Sequence, residues 1–345
     1  MFITVLCCVQ RYTNIPAEIH ANLRREEGER GASVGAEWGE VVGLTRLGDH
    51  QSHREGVSAV CLVAGPDSPA VSASDDSSLK LYSWARAGLE RSVSLRSNRI
   101  SSILSPGPAT LILASWDNSV LVYNILTGAL SSLAAHTDAV SCLAHSSDSQ
   151  TLLSGSWDGT VKVWRCQSAN NFSLSLTDLL CQLDQGAAVT CLDVVGESLA
   201  TGTTEGEILV WLGHSLAHRL PSHRLQVNTV KLSPCGEKIL SGGADLSLKV
   251  FDLKTGTVIF NKKVEEEVTS LAWDGVRGLM AGAGGSLTVW HLTHSSGQPV
   301  VRLAGHEGRV TGLHLARDKA GRILLVTGGQ DRRVIVWRLE TSNYL

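Results

Sequence analysis

Four times along the chain, a histidine, a hydroxyl residue and an aspartate follow one another at nearly fixed spacing. The sets are His53, Ser72 and Asp76; His136, Ser154 and Asp158; His223, Ser241 and Asp245; and His306, Thr327 and Asp331. Imidazole, hydroxyl and carboxylate are the groups of a nucleophilic relay, in which the base takes the hydroxyl proton and the acid orients the base. They are also the groups of a buried hydrogen-bonded chain in which each satisfies the next. Catalysis needs one such set in one cleft. Four sets in matched phase indicate structural wiring repeated once per unit. Six positions after each aspartate stands an aromatic residue: Tyr82, Trp164, Phe251 and Trp337. A Trp indole can extend the chain as a donor, Tyr82 gives a modified version, and Phe251 has no donor to offer.

The aromatic marker continues through the intervening copies as Tyr123, Trp211 and Trp290, with Asp117, Glu205 and Gly284 at the acidic position. Successive aromatics are 41, 41, 47, 40, 39 and 47 residues apart, which makes seven copies. A second marker recurs in the same phase: β-branched apolar, hydroxyl or amide, small, apolar. It runs from Val57-Ser58-Ala59-Val60, through Val140-Ser141-Cys142-Leu143 and Val189-Thr190-Cys191-Leu192, to Val310-Thr311-Gly312-Leu313. The alternation predicts a strand with one tightly packed face, on which Cys142 and Cys191 are small buried hydrophobes. The strand after each acidic turn, such as Thr160–Trp164, is apolar on both faces, as packing between two neighbouring sheets requires. Asp158-Gly159 suits a tight hairpin turn. Copies near 42 residues with about four strands predict an all-β, seven-bladed β-propeller.

Gly305-His306, Thr327, Asp331 and Trp337, like His136, Ser154, Asp158 and Trp164, resemble WD40 repeats. That resemblance implies a His–Ser/Thr–Asp–Trp hydrogen-bonded chain within a blade. Copies two, four and six lack the matching His, so the odd-numbered blades are predicted to be the better wired. The first copy offers two histidines. Leu44, Leu47 and His50 repeat the spacing of Leu130, Leu133 and His136, whereas His53 has the four-residue spacing to Val57 found in the other odd copies. The propeller is expected over residues 39–341. Residues 41–47 should supply the outer strand that the last copy lacks, closing the ring between N- and C-terminal segments. Residues 1–38 are expected to be irregular.

A narrower resemblance rests on Ser115-Trp116-Asp117-Asn118, the run Ser154–Trp164, Asp178-Leu179-Leu180, Thr204-Glu205-Gly206 and Trp273-Asp274-Gly275. Together these are similar to the C-terminal WD-repeat region of the BEACH–WD40 group. That resemblance implies a non-catalytic adaptor docking on a tumour necrosis factor receptor cytoplasmic tail and promoting neutral sphingomyelinase activation. It also implies an upstream BEACH domain that this sequence does not contain. The alternative is a scaffold subunit of another kind, such as a ubiquitin-ligase substrate receptor or a trafficking component.

Trp116 and Trp157 each precede the turn aspartate in adjacent copies. A large indole at a polar turn either packs against the neighbouring blade or receives a partner. The run Glu265-Glu266-Glu267 would suit a basic partner segment or stand as a solvated loop, and Arg309 lies at a similar place. His214 and His218 fall near an outer strand, where exposed polar residues are the default. Gly282–Gly285 falls at a blade turn. Residues 165–188 read as a long accessory surface loop.

Composition narrows the function classes. Hydrophobic residues make up 43% and charged residues 18%, enough apolar content for a core, and the net charge of -3 argues against a nucleic-acid partner. No H-E-x-x-H, G-x-x-x-x-G-K or G-x-G-x-x-G motif occurs, so neither an enzyme activity nor a cofactor or metal is expected. No apolar run reaches the roughly 18 residues of a bilayer span, and Met1–Val9 lacks the basic start of a secretory signal. Eight cysteines without a C-x-x-C pair fit reduced thiols and a cytoplasmic location, with membrane recruitment through a partner. In that compartment the sequon Asn171-Phe172-Ser173 has no role. A monomeric propeller binding other proteins or peptide segments is expected.

Overall fold

Every copy of the β-branched/hydroxyl signature folds as the innermost strand of a four-stranded antiparallel sheet, and seven such sheets form the structure. The structure is a computed structural model. It describes residues 41–341 apart from 64–68, 84–87, 96–97, 147–149, 171–172, 275–277, 291–298 and 318–321. The segment 1–38 therefore lies outside the described residues, as do Asn171 and the side chain of Trp290.

Each innermost strand contacts the next, from Val57–Leu62 through Ile100–Gly107, Val140–Ser146, Val189–Val195, Val227–Leu232 and Val268–Asp274 to Val310–Arg317, and the last contacts the first. That is a closed ring. Six of the sheets are self-contained blades of four consecutive strands. The remaining sheet is composite: Val310–Arg317, Ile323–Gly329 and Arg333–Thr341 are completed by the strand Val41–Gln51. The expectation of a seven-bladed propeller is therefore corrected: six blades are contiguous, and the remaining sheet is assembled from both ends of the array. The closing strand is longer than the predicted 41–47 and pairs from Val41 opposite Thr341 to Gln51 opposite Arg333. The predicted accessory loop 165–188 is also revised. Much of it forms a long hairpin, Thr160–Asn170 against Ser173–Asp184, because the alternation of the central strand continues past Trp164.

Stacking of the sheets produces the core. Among the described residues, seven apolar clusters form, one at each junction between adjacent blades. Second strands such as Thr110–Ser115 and Ile323–Gly329 are buried along their whole length, whereas outer strands such as Leu130–Ala134 are largely exposed. Three residues before the turn acid, four of the blades carry Gly155, Gly202, Gly242 or Gly328, and Gly282 holds the same register in the sixth. The reason is the next blade. A Cβ at Gly242 would lie 2.3 Å from Val268 Cγ1, and one at Gly328 2.6 Å from Val57 Cγ1. In these five junctions the first residue of the next signature thus packs onto the bare backbone of the preceding blade.

Candidate interaction face

The His–hydroxyl–Asp sets come together as buried chains at the blade end where the tight turns lie. His136 Nδ1–H donates to Asp158 Oδ2 at 2.9 Å, which leaves Nε2 as acceptor of the Ser154 hydroxyl at 2.8 Å. The Ser154 oxygen in turn accepts the Trp164 indole N–H at 2.9 Å. His306, Asp331, Thr327 and Trp337 repeat this order at 3.0, 2.9 and 3.0 Å. His223 holds Asp245 at 2.9 Å and Ser241 at 2.8 Å, and Phe251 ends the chain. In the first blade His53 is the network member, 2.6 Å from Ser72 and 3.4 Å from Asp76, and Ser72 donates to the Tyr82 hydroxyl at 3.3 Å. His50 stacks on the Tyr82 ring instead, with centroids 4.9 Å apart.

Each aspartate also caps the loop in front of its blade, as Asp158 does for the Thr137 N–H at 3.1 Å. Burial holds His53, His136 and His223 below the ordinary imidazole value, against the pull of the neighbouring aspartates. Burial alone would raise Asp158 and Asp245, but donors outweigh it and hold both at about 2. These donors are Thr160 and the Thr137 N–H for Asp158, and Ser247 and the Arg224 N–H for Asp245. In the His136, His223 and His306 sets the hydroxyl proton is thus directed into a chain that ends on a carboxylate already supplied with donors.

One wired blade escaped the sequence pattern. In the fourth blade Gln185 occupies the histidine's place, and its Oε1 accepts the Thr201 hydroxyl at 2.7 Å and the Trp211 indole N–H at 3.2 Å. The expectation that the odd-numbered blades are the better wired is extended here: the fourth is wired too, through an amide in place of the imidazole. The four-residue spacing from Gln185 to Val189 was the available signal. In the sixth blade, where Gly284 replaces the turn acid, the Glu266 carboxylate fills the gap: a Cβ on Gly284 would fall 1.3 Å from Glu266 Oε2.

A second girdle surrounds the channel mouth. Register shifts follow the first signature residue in all seven innermost strands. Such a bulge re-aims the second, polar residue. Ser101 donates to Val140 O at 2.5 Å, Ser141 to Val189 O at 2.6 Å, Asn228 to Val268 O at 3.0 Å and Thr269 to Val310 O at 2.5 Å. Thr190 reaches Val227 O, and Thr311 reaches Val57 O across the closure. Each bond joins one blade to the next.

Above this girdle opens a cavity of about 320 Å³ lined by Arg99, Trp116, Trp157, Gln226, Arg309 and Gln330, among others. The structure brings Trp116 and Trp157 together, with ring centroids 5.2 Å apart and planes tilted by 51°. Trp116 is half-buried, while Trp157 remains 45% exposed. The Arg99 guanidinium lies 4.6 Å over the Trp116 ring and pairs with Asp75 at 2.6 Å. The acidic run is not an open patch: Glu265 pairs with Arg302 at 2.7 Å and Glu267 with Arg309. At the other end of the channel, Asp193 accepts the Leu232 N–H at 2.8 Å and Lys231 at 3.1 Å. His314 there accepts the Leu62 N–H at 3.2 Å, and burial, then Lys231, holds its ring down to about 4. Among the described residues no group of three or more His, Cys, Asp or Glu side chains could hold a metal ion. His214 and His218 sit at and on an outer strand, as their spacing predicts.

A family model described as "WD domain, G-beta repeat" matches residues 44–83, 128–165, 214–252 and 297–338. The chain carries WD40 repeats. The matched stretches are those that contain the four His–hydroxyl–Asp sets. Each WD40 repeat begins on an outer strand and ends in the following blade, so 44–83 runs from the closing strand into the first blade. Among curated relatives, Periodic tryptophan protein 2 of Arabidopsis thaliana is 29% identical over 160 residues, 45% of this chain and 17% of its own. The Ribosome biogenesis protein WDR12 homolog of Culex quinquefasciatus is 25% identical over 260 residues, 68% of this chain and 58% of its own. The Guanine nucleotide-binding protein subunit beta of Oryza sativa subsp. indica is 25% identical over 245 residues, 65% of this chain and 61% of its own. The chain therefore spans less than two thirds of the length of each of these relatives.

Proposed function

We propose that this WD40 propeller is a non-catalytic interaction scaffold that receives protein segments at the channel mouth beside Trp116 and Trp157. One observation carries the reading: two indoles from adjacent blades meet at an open cavity, and one keeps 45% of its surface in water. Exposed tryptophan is costly in isolation and enriched where partners bind. The rigid frame beneath supports the same role, because buried chains within blades and hydroxyl bonds between blades fix the rim loops in space. A relay role for the four sets is disfavoured by their burial, since each hydroxyl is consumed inside a blade.

The mouth is tested by the double variant Trp116→Ala/Trp157→Ala, immobilised beside the unaltered protein and exposed to cell extract. Bound proteins should be lost while the melting temperature moves by no more than about 3 °C. An unchanged set of bound proteins would overturn the mouth as the site, and a much larger drop in melting temperature would make the pair a packing feature.

At a finer level, the motifs shared with the BEACH–WD40 group support an adaptor in tumour necrosis factor receptor to neutral sphingomyelinase signalling, with a receptor tail as partner. Co-precipitation with that tail checks this reading, and recovery of ubiquitin-ligase components in its place would overturn it. A cytoplasmic location is part of the same proposal, supported by the six described cysteines, all free thiols. Fractionation of cells expressing the tagged chain would test it.

A further inference from the structure

Carboxylate, cation and two aromatic rings follow in order across three blades of the mouth. Asp75 Oδ1 lies 2.6 Å from Arg99 Nε, the Arg99 guanidinium lies 4.6 Å over Trp116, and Trp116 lies 5.2 Å from Trp157. The series is closed at one end by Asp75 and open at the other, at the exposed Trp157. An indole face carries negative potential, so the group that best extends such a series is another cation.

The loops around Trp157 carry the matching charge. Asp117 adjoins Trp116 in the turn. The Asp138 loop is bonded to the Trp157 turn through Trp157 N–H to Ala139 O at 3.0 Å and Ser156 Oγ to Asp138 O at 3.0 Å. On the other flank, the Asp184 loop is tied to the same turn through Gln185 N–H to Gly159 O at 2.9 Å. Glu205 follows Thr204, which lines the cavity with Trp157. Asp117, Asp138, Asp184 and Glu205 are all exposed. Of the basic side chains described beside these loops, Arg99 is engaged with Asp75, Lys162 with Ala135 O and Arg219 with Glu207, while exposed Arg224, in the loop tied to the Glu205 turn through His223 N–H to Gly206 O at 2.8 Å, bounds the group. Across the ring, by contrast, the acids Glu265 and Glu267 are neutralised by Arg302 and Arg309, and Arg54 and Arg332 are exposed. The exposed acids Asp117, Asp138, Asp184 and Glu205 thus gather around the free indole.

We infer that Trp157 is the seat for a cationic side chain, arginine or lysine, presented by a basic peptide segment and flanked by Asp138 and Asp184. This rests on the mouth being the interaction site and specifies the chemistry of what enters it. The partner's cation would stack on Trp157 as Arg99 stacks on Trp116, and the exposed carboxylates would steer the basic segment toward this sector.

The test uses the full chain and four labelled peptides of equal length, Gly/Ser-flanked hexa-arginine, hexa-lysine, hexa-glutamate and plain Gly/Ser, followed by fluorescence anisotropy at low and moderate salt. The arginine and lysine peptides should bind saturably and quench tryptophan emission. Trp157→Ala should weaken the arginine peptide by about threefold to tenfold, with partial recovery in Trp157→Phe. Asp138→Asn/Asp184→Asn should weaken it and flatten its salt dependence. Absence of saturable arginine-peptide binding, equal affinity in Trp157→Ala, or a preference for the glutamate peptide would overturn the inference. Trp157-dependent binding of the neutral or acidic peptide would sink the cation while leaving the mouth as the site. The mouth itself falls only if capture of partners survives Trp116→Ala/Trp157→Ala.

Discussion

Gln185 gives the sharpest stability test, because the sequence motif does not mark it and the structure makes it indispensable to its blade. Replacement by Ala removes the one oxygen that accepts both the Thr201 hydroxyl and the Trp211 indole N–H. Gln185 and Thr201 are fully buried and Trp211 is only 9% exposed, so water cannot substitute freely. Thr201 has a fallback in Leu209 O at 3.4 Å, whereas the indole N–H has its one acceptor among the described residues in Gln185 Oε1. One orphaned donor costs about 1–3 kcal/mol, and the void left by the amide adds to it, for a total of about 2–4 kcal/mol. A propeller of about 300 ordered residues has an unfolding entropy near 0.6 kcal/mol/K, so the melting temperature should fall by about 3–6 °C. Differential scanning calorimetry would measure it, beside Gln185→His. The histidine variant places an imidazole between Thr201 and Glu205, as in the wired blades, and should lose less than half as much. An Ala variant melting within about 1 °C of the unaltered protein would refute the assignment of Gln185 as the histidine's substitute.

Gly242→Ala should cost about 1–3 kcal/mol by thermal melt, since its Cβ would press to within 2.3 Å of Val268 Cγ1 across a blade junction. Thr311→Val keeps the shape but removes the donor to Val57 O, the girdle bond that spans the ring closure, and should cost about 1–2 kcal/mol in urea denaturation. Acid should destabilise in two stages, read as melting temperature against pH. His53, His136 and His223 titrate below 6.5 in the fold, so the unfolded chain binds protons first and stability declines as pH falls below 6.5. Asp158 and Asp245 have folded values of about 2 against 3.8, so a further decline should follow between pH 3.8 and about 2. A flat profile from pH 7 to 5 would contradict neutral buried imidazoles.

The repeating frame was legible because its signals are periodic and local. The spacing of His136 to Val140 and of Asp158 to Trp164 fixes a loop, a turn and two strands within one unit, and each unit repeats the message. His53 over His50 was decidable by the same spacing. Gln185 was missed because the pattern tracked residue type, whereas what the site requires is an acceptor at that point in space. The pairing of Glu267 with Arg309 and of Glu265 with Arg302 was illegible for a different reason. Those contacts cross from one sequence copy to another, or run between strands of a sheet, and no local period encodes them. The meeting of Trp116 with Trp157 is intermediate: their equivalent positions were evident 41 residues apart, but the tilt and the Arg99 cover depend on how adjacent blades rotate.

The composite sheet has a mechanical meaning. Val41 lies directly opposite Thr341, so whatever leads into the propeller and whatever leads out of it emerge side by side from one edge. Pulled apart along the chain, those two strands would unzip one hydrogen bond at a time, and the latch holding some 300 residues in a circle would open before any contiguous blade was loaded. Sheared in register, the same ladder would resist as a block. The direction from which a tether pulls on that seam, and not the stability of the average blade, therefore sets whether tension opens the ring.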